Sequence, residues 1–159
     1  EEKKLGVSVD YLRHVVDVSP TAFFRFAAIM PFANARKQLP KDAWHVAQIA
    51  GVQAADCGTC LQIAVNLALR DGVDPALLTA ALDGDLDALP PELVDVYRFT
   101  KAVLAATYDE DDLRESLRQR YGDRGLIELS YAVASSGIPA TVKRSLGYAK
   151  SCREVAVHV

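Results

Sequence analysis

The chain has 159 residues, 50% hydrophobic and 25% charged, with a formal net charge of -3. That length is enough to bury a core, and one domain over 1–159 is the expected organisation. The slight acidity leaves no electrostatic footprint for nucleic acid or an anionic membrane surface. No apolar run reaches the about 18 to 20 residues that span a bilayer: the longest, Thr21 to Ala35, is interrupted by Arg25, Pro31 and Asn34. No secretory signal is visible, and the expected location is the cytoplasm.

Helical periodicity with cap signals runs through most of the chain, and strand signals are nearly absent. Ser8 is positioned to cap a short helix through Asp17. Ser19-Pro20 starts the next, because proline at the first helical position gives up an amide that has no partner there. Pro31 should kink or end that helix. Pro40 opens a helix over about Lys41 to Ala55. Asp56 is the expected cap of the following helix, and Gly72 fits its stop. Asp74-Pro75 starts a short helix, and Asp83 to Pro90 is the longest loop. Pro90-Pro91 opens an amphipathic helix ending near Thr107. Asp109 is the expected cap of a charged helix to about Tyr121. From Asp123 the pattern is helical again to about Lys150, with a bend at Gly137 to Pro139. The tail, Val155 to Val159, alternates and reads as a short extended arm. The expected fold is all-α: a compact bundle of roughly seven or eight helices by this cap count.

The two helices that meet near Asp56 are unusually apolar. Between Lys41 and Arg70 there is no other lysine or arginine; the acids are Asp42 and Asp56, and the one histidine is His45. Helices apolar on most sides are buried, so this hairpin is the expected centre of the domain or of a subunit interface. It carries Cys57-Gly58-Thr59-Cys60 at the start of its second helix. Residues three apart face each other across one helical turn, within disulfide reach. The helix N-terminus favours a thiolate; burial and the neighbouring Asp56 oppose it. No cation lies close in sequence to help.

Three cysteines do not make the framework of a disulfide-stapled secreted domain. A zinc site would need a second ligand pair, and the remaining candidates are His14, His45, His158 and Cys152. Zinc is therefore not expected, and thiol–disulfide chemistry needs no metal or organic cofactor.

The region from about Pro40 to Val73 resembles the alkylhydroperoxidase D-like, or carboxymuconolactone decarboxylase, family of all-helical proteins. Its redox branch carries a glutamate, eleven residues, Cys-x-x-Cys, three residues and a histidine. The cysteines fall on Cys57 and Cys60, the glutamate position on His45 and the histidine position on Ala64. The resemblance implies that Cys60 attacks the peroxide and Cys57 resolves it to a disulfide. It also implies symmetric oligomers, often trimers or multiples of three, with the apolar stretch around Phe23, Phe24, Phe26, Ile29 and Phe32 supplying interface. The chain departs from the family at both proton-relay positions. Ala64 cannot accept a proton, whereas His45, with an ordinary pKa near 6.5, can. His45 is the candidate replacement relay, with Gln48 one turn along placed to orient its ring.

The expected function is thus a thiol oxidoreductase cycling through a Cys57–Cys60 disulfide, with a hydroperoxide or disulfide as substrate and a protein or small thiol as electron donor. Slower dithiol–disulfide exchange would need less activation of the thiol. The alternatives are a non-enzymatic helical module for oligomerisation or partner binding, its cysteines serving as small hydrophobes, and a decarboxylase-branch member that does not use thiols. His45 as a core histidine is the plainer reading of that residue. Gln62 and Asn66, an i, i+4 pair, read as an interhelix or intersubunit hydrogen bond rather than a catalytic pair. Lys143, Arg144, Lys150 and Arg153 read as a solvated basic face. Cys152 reads as a lone thiol.

Overall fold

The computed structural model describes residues 7–107, 109–149 and 155–157, leaving aside the side chain of Met30. Lys150, Cys152, Arg153 and His158 lie outside the described residues. All regular structure among the described residues is helical: α1 (Asp10–Val18), α2 (Pro20–Ala27), α3 (Met30–Ala33), α4 (Lys41–Ala54), α5 (Gly58–Arg70), α6 (Pro75–Asp83), α7 (Pro91–Ala105), α8 (Asp111–Ser136) and α9 (Ile138–Ser145). A 3₁₀ turn at Leu86–Ala88 lies within the loop before α7. With the single turn α3 set aside, this is the all-α bundle expected from the cap signals.

The caps explain most boundaries. Ser19 Oγ accepts from the Ala22 amide at 3.2 Å, ahead of Pro20. Asp74 Oδ1 accepts from the Ala76 amide at 2.8 Å, ahead of Pro75. α2 ends at Ala27, and Pro31 belongs to the separate turn α3. Gly122 sits at φ 70°, ψ 172°, so α8 is broken between Tyr121 and Asp123 as the sequence suggested. Three caps fall elsewhere than expected. Val9, not Ser8, is the N-cap of α1, and its side chain makes no capping hydrogen bond. Glu110, not Asp109, is the N-cap of α8. Cys57, not Asp56, is the N-cap of α5, and no side chain caps that end. Asp56 instead takes φ 48°, the left-handed conformation that turns the chain from α4 into α5.

α4 is the central helix, packed against α5, α6, α7 and α8. Its near-uniform apolar surface accounts for that: Ala43, Val46, Ala47, Ile49 and Ala50 are all fully enclosed. Gly51 lets α8 come in close, since a Cβ there would lie 2.6 Å from Ser136 Cβ. α5 runs back along α4. Lys41 Nζ, at the start of α4, donates to the carbonyls of Asp71 (3.1 Å) and Gly72 (2.6 Å), just past the end of α5. The segment leading into α4 is held by Glu128 of α8, whose Oε2 accepts from the amides of Lys37, Gln38 and Leu39 at 2.8–3.0 Å.

The tail returns to α5. Gln62 Nε2 donates to the Ala156 carbonyl (2.9 Å), and the Ala156 amide donates to Gln62 Oε1 (3.0 Å). Val155 and Val157 pack against the core. Gln62 also donates to Asn66 Oδ1 at 2.9 Å, so this polar pair serves to pin the arm.

Candidate thiol site

Cys57 and Cys60 are joined as a disulfide, with their Cα atoms 5.3 Å apart. The N-cap position of Cys57 and the first-turn position of Cys60 make that closure local. Cys57 is wholly buried, and Cys60 is 8% exposed. Cys60 lines a pocket of about 180 Å³ together with Trp44, Ile63, Leu67, Pro139, Ser135 and Lys143. A pair at disulfide distance, one sulfur closed off and one facing a pocket, is compatible with a thiol redox role.

Tertiary structure supplies the cations that the local sequence lacks. Arg144 Nη2 donates to the carbonyls of Ala55 (2.5 Å) and Asp56 (2.6 Å) and lies 4.0 Å from Asp56 Oδ2. It therefore satisfies carbonyls at the end of α4 and offsets the carboxylate that precedes Cys57. Lys143 is 5% exposed. Its Nζ donates to Thr59 Oγ1, inside the Cys57–Cys60 turn, and lies 5.7 Å from the centre of the Tyr11 ring. Thr59 Oγ1 is in turn 3.9 Å from Cys57 Sγ. The reading of Lys143 and Arg144 as a solvated face is corrected for Lys143, which is buried against the cysteine turn. Arg144 is exposed but engaged.

His45 is 2% exposed, and its ring is directed elsewhere. Its Nε2 lies 2.9 Å from Asp71 Oδ2, which also accepts from Arg36 Nη2 at 2.9 Å. Asp71 is the C-cap of α5, whereas Cys60 is in the first turn of that helix. Eleven helical residues separate the two by roughly 16 Å along the axis. Burial pushes the His45 pKa below its ordinary value, and the Asp71 hydrogen bond and charge offset this only in part. Asp71 is held below the usual carboxylate range, first by the His45 hydrogen bond. Both directions describe a neutral imidazole whose Nε2–H donates to an ionised carboxylate. Gln48 does not orient this ring: its Nε2 donates to the Ala132 carbonyl (2.7 Å) and to Ser135 Oγ (3.2 Å), and it lines the Cys60 pocket.

Ala64 lines the same pocket as Cys60 and brings no proton acceptor to it. Among the described residues no three histidine, cysteine, aspartate or glutamate side chains gather in a metal-holding group, and no helix is long and apolar enough to cross a membrane. Sequence reasoning connected neither Thr59 nor Lys143 with the chemistry of the thiol pair. The available signal for Lys143 was its place three residues after Ala140, which is 1% exposed, on the inward face of α9.

Comparison of the chain with family models, with curated proteins and with solved structures gives no match.

Proposed function

We propose that the protein is a thiol oxidoreductase of the alkylhydroperoxidase D-like kind, working through the Cys57–Cys60 pair. The observation that carries this reading is the asymmetric burial of the pair: Cys57 closed off, Cys60 facing the pocket. The helical hairpin that holds the cysteines supports the family reading.

In the reaction, the Cys60 thiolate attacks the outer oxygen of a hydroperoxide. The O–O bond breaks, an alkoxide leaves and takes a proton, and Cys60 becomes a sulfenic acid. The Cys57 thiolate then attacks Cys60 Sγ, hydroxide leaves as water after protonation, and the disulfide forms. An external dithiol, itself oxidised to a disulfide, restores both thiols. In dithiol–disulfide exchange the Cys60 thiolate attacks a substrate disulfide instead and releases one substrate thiolate, Cys57 attacks Cys60 Sγ and releases the other, and the same external dithiol restores both thiols.

Self-association belongs to the same proposal. Phe24 (70% exposed) and Phe32 (38% exposed) lie on α2 and α3, and Tyr131 stacks on Phe32 with ring centres 4.5 Å apart. Exposed aromatic surface of this kind supports self-association, and the family resemblance makes a trimer or a multiple of it the expected assembly. Light scattering on the purified chain reads this directly, and a monomer at all concentrations would remove it.

Single turnover tests the chemistry. Fully reduced protein is mixed with one equivalent of hydrogen peroxide or an organic hydroperoxide, and free thiols and intact mass are followed. The expected result is loss of two thiols per chain, with a sulfenic acid trapped on Cys60 in Cys57→Ser. Thiols consumed no faster than a free thiol would end the peroxidase reading. If they also resist a disulfide reagent, the cysteines are structural and the chain is a helical binding module.

A further inference from the structure

We infer that Lys143, acting through Thr59, stabilises Cys57 as a thiolate and so makes it the leaving group when the disulfide is opened at Cys60. This rests on the redox reading above and names a positioning residue for it.

The geometry is a relay of three groups. Lys143 Nζ donates to Thr59 Oγ1, and that hydroxyl lies 3.9 Å from Cys57 Sγ. A hydroxyl that accepts from an ammonium is a stronger donor through its own proton, and the acceptor within reach is sulfur. Lys143 and Thr59 are 84 residues apart in sequence, and the ammonium is brought to the turn by α9, nearly enclosed. Enclosure weakens solvent screening, so the charge acts more strongly on a nearby thiolate than it would at the surface. Among the described residues, the charged and titratable groups facing this turn are Lys143 and Arg144 from α9, Asp56 ahead of α5, Asp10 and Tyr11 from α1, and Tyr148 after α9. The nearest acid, Asp56, is partnered by Arg144 at 4.0 Å, which leaves less of its charge to oppose the thiolate.

The chemical consequence follows from burial. With Cys57 enclosed, an incoming reductant thiolate attacks Cys60 Sγ from the pocket. The Cys57–Cys60 bond breaks, a mixed disulfide forms at Cys60, and the bonding electron pair passes to Cys57 Sγ. There the Thr59 hydroxyl donates to it, with the Lys143 charge behind. The second thiolate of the same dithiol reductant then displaces Cys60 and leaves as a disulfide. A more stable leaving thiolate opens the bond faster and makes the disulfide the stronger oxidant.

The test titrates Cys57 alone. In full-length Cys60→Ser/Cys152→Ser protein, thiolate absorbance is followed against pH. Adding Lys143→Met should raise the Cys57 midpoint by about one pH unit or more, Thr59→Val should raise it likewise, and Lys143→Arg should keep it near the parent value. In chains with Cys57 and Cys60 intact, Lys143→Met and Thr59→Val should shift the equilibrium with glutathione toward the disulfide by about tenfold. Midpoints that stay at the parent value in both variants would overturn the inference. If Lys143→Met does not fold, Thr59→Val decides alone. The titration requires no turnover, so its failure and failure of the peroxidase reading are separate results.

Discussion

His45 Nε2 and Asp71 Oδ2 lie 2.9 Å apart, tying α4 to the end of α5 at the open end of their hairpin, whereas the disulfide lies at the other end, within the first turn of α5. The imidazole is held neutral because burial disfavours its charged form, and its folded pKa lies below the ordinary value of 6.5. Below about pH 6.5 the unfolded chain therefore binds a proton that the folded chain resists. Stability contributed by the neutral ring is complete above that value and is lost as pH falls toward the folded pKa. Asp71, also depressed, acts in the same direction at lower pH. Urea unfolding at pH steps from about 7.5 down to about 5 should show falling stability. His45→Gln should flatten the upper part of that decline and lower stability at neutral pH by about 1–2 kcal/mol. The same variant examines the relay: the position of His45 beside Asp71 predicts that the reaction of Cys60 with peroxide changes little, and a loss of tenfold or more would return His45 to the proton path.

Glu128 is the clamp between α8 and the segment before α4. Burial raises its pKa, but the amides of Leu39, Lys37 and Gln38 outweigh that and hold the carboxyl below its usual range. Glu128→Ala leaves three amides without their acceptor, one of them, on Leu39, buried. The expected loss is about 3 kcal/mol, and about 1 kcal/mol for Glu128→Gln, which keeps an oxygen acceptor but not the charge. Equilibrium urea melts at neutral pH measure both: Glu128→Gln as stable as the parent would show that the charge contributes nothing, and equal stability of the two variants would show that a neutral oxygen does not replace the carboxylate.

Gly51 is the point of closest approach between α4 and α8. A methyl group there meets both the Oγ and the Cβ of Ser136, and rotating the hydroxyl relieves only the first. Gly51→Ala should therefore cost about 2 kcal/mol although alanine is the better helix former. Ser136 also lines the Cys60 pocket, so the displaced helix moves a wall of it. The thermal midpoint should fall and the rate of Cys60 alkylation should change in the same variant; an unchanged midpoint would mean that α8 moves freely.

Much of the architecture was legible because its causes are local. Ser19-Pro20 and Asp74-Pro75 start helices with a side-chain acceptor ahead of a proline, and Pro90-Pro91 with the fixed φ of proline alone. Gly122 breaks α8 by a conformation that few other residues adopt readily. The apolar surfaces of Lys41–Ala54 and Gly58–Arg70 already marked the buried hairpin. The closure of Cys57 with Cys60 was open to the spacing alone, since three residues of helix bring the two within reach. Where local logic failed, a tertiary contact had won: Asp56 gives up the cap of α5 to adopt the left-handed turn, with Arg144 on its carbonyl.

By itself, then, the sequence determined which segments are helical, that α4 is buried on most sides and which two sulfurs can bond, because each depends on residues within a few turns of one another. Only the tertiary structure decided the surroundings of those sulfurs. Lys143 reaches Thr59 across 84 residues, Arg144 reaches Ala55 across 89, Glu128 reaches Leu39 across 89, and His45 reaches Asp71 across 26. The charge that a thiolate feels depends on distance and burial, and neither is set until α9 has docked on the turn between α4 and α5.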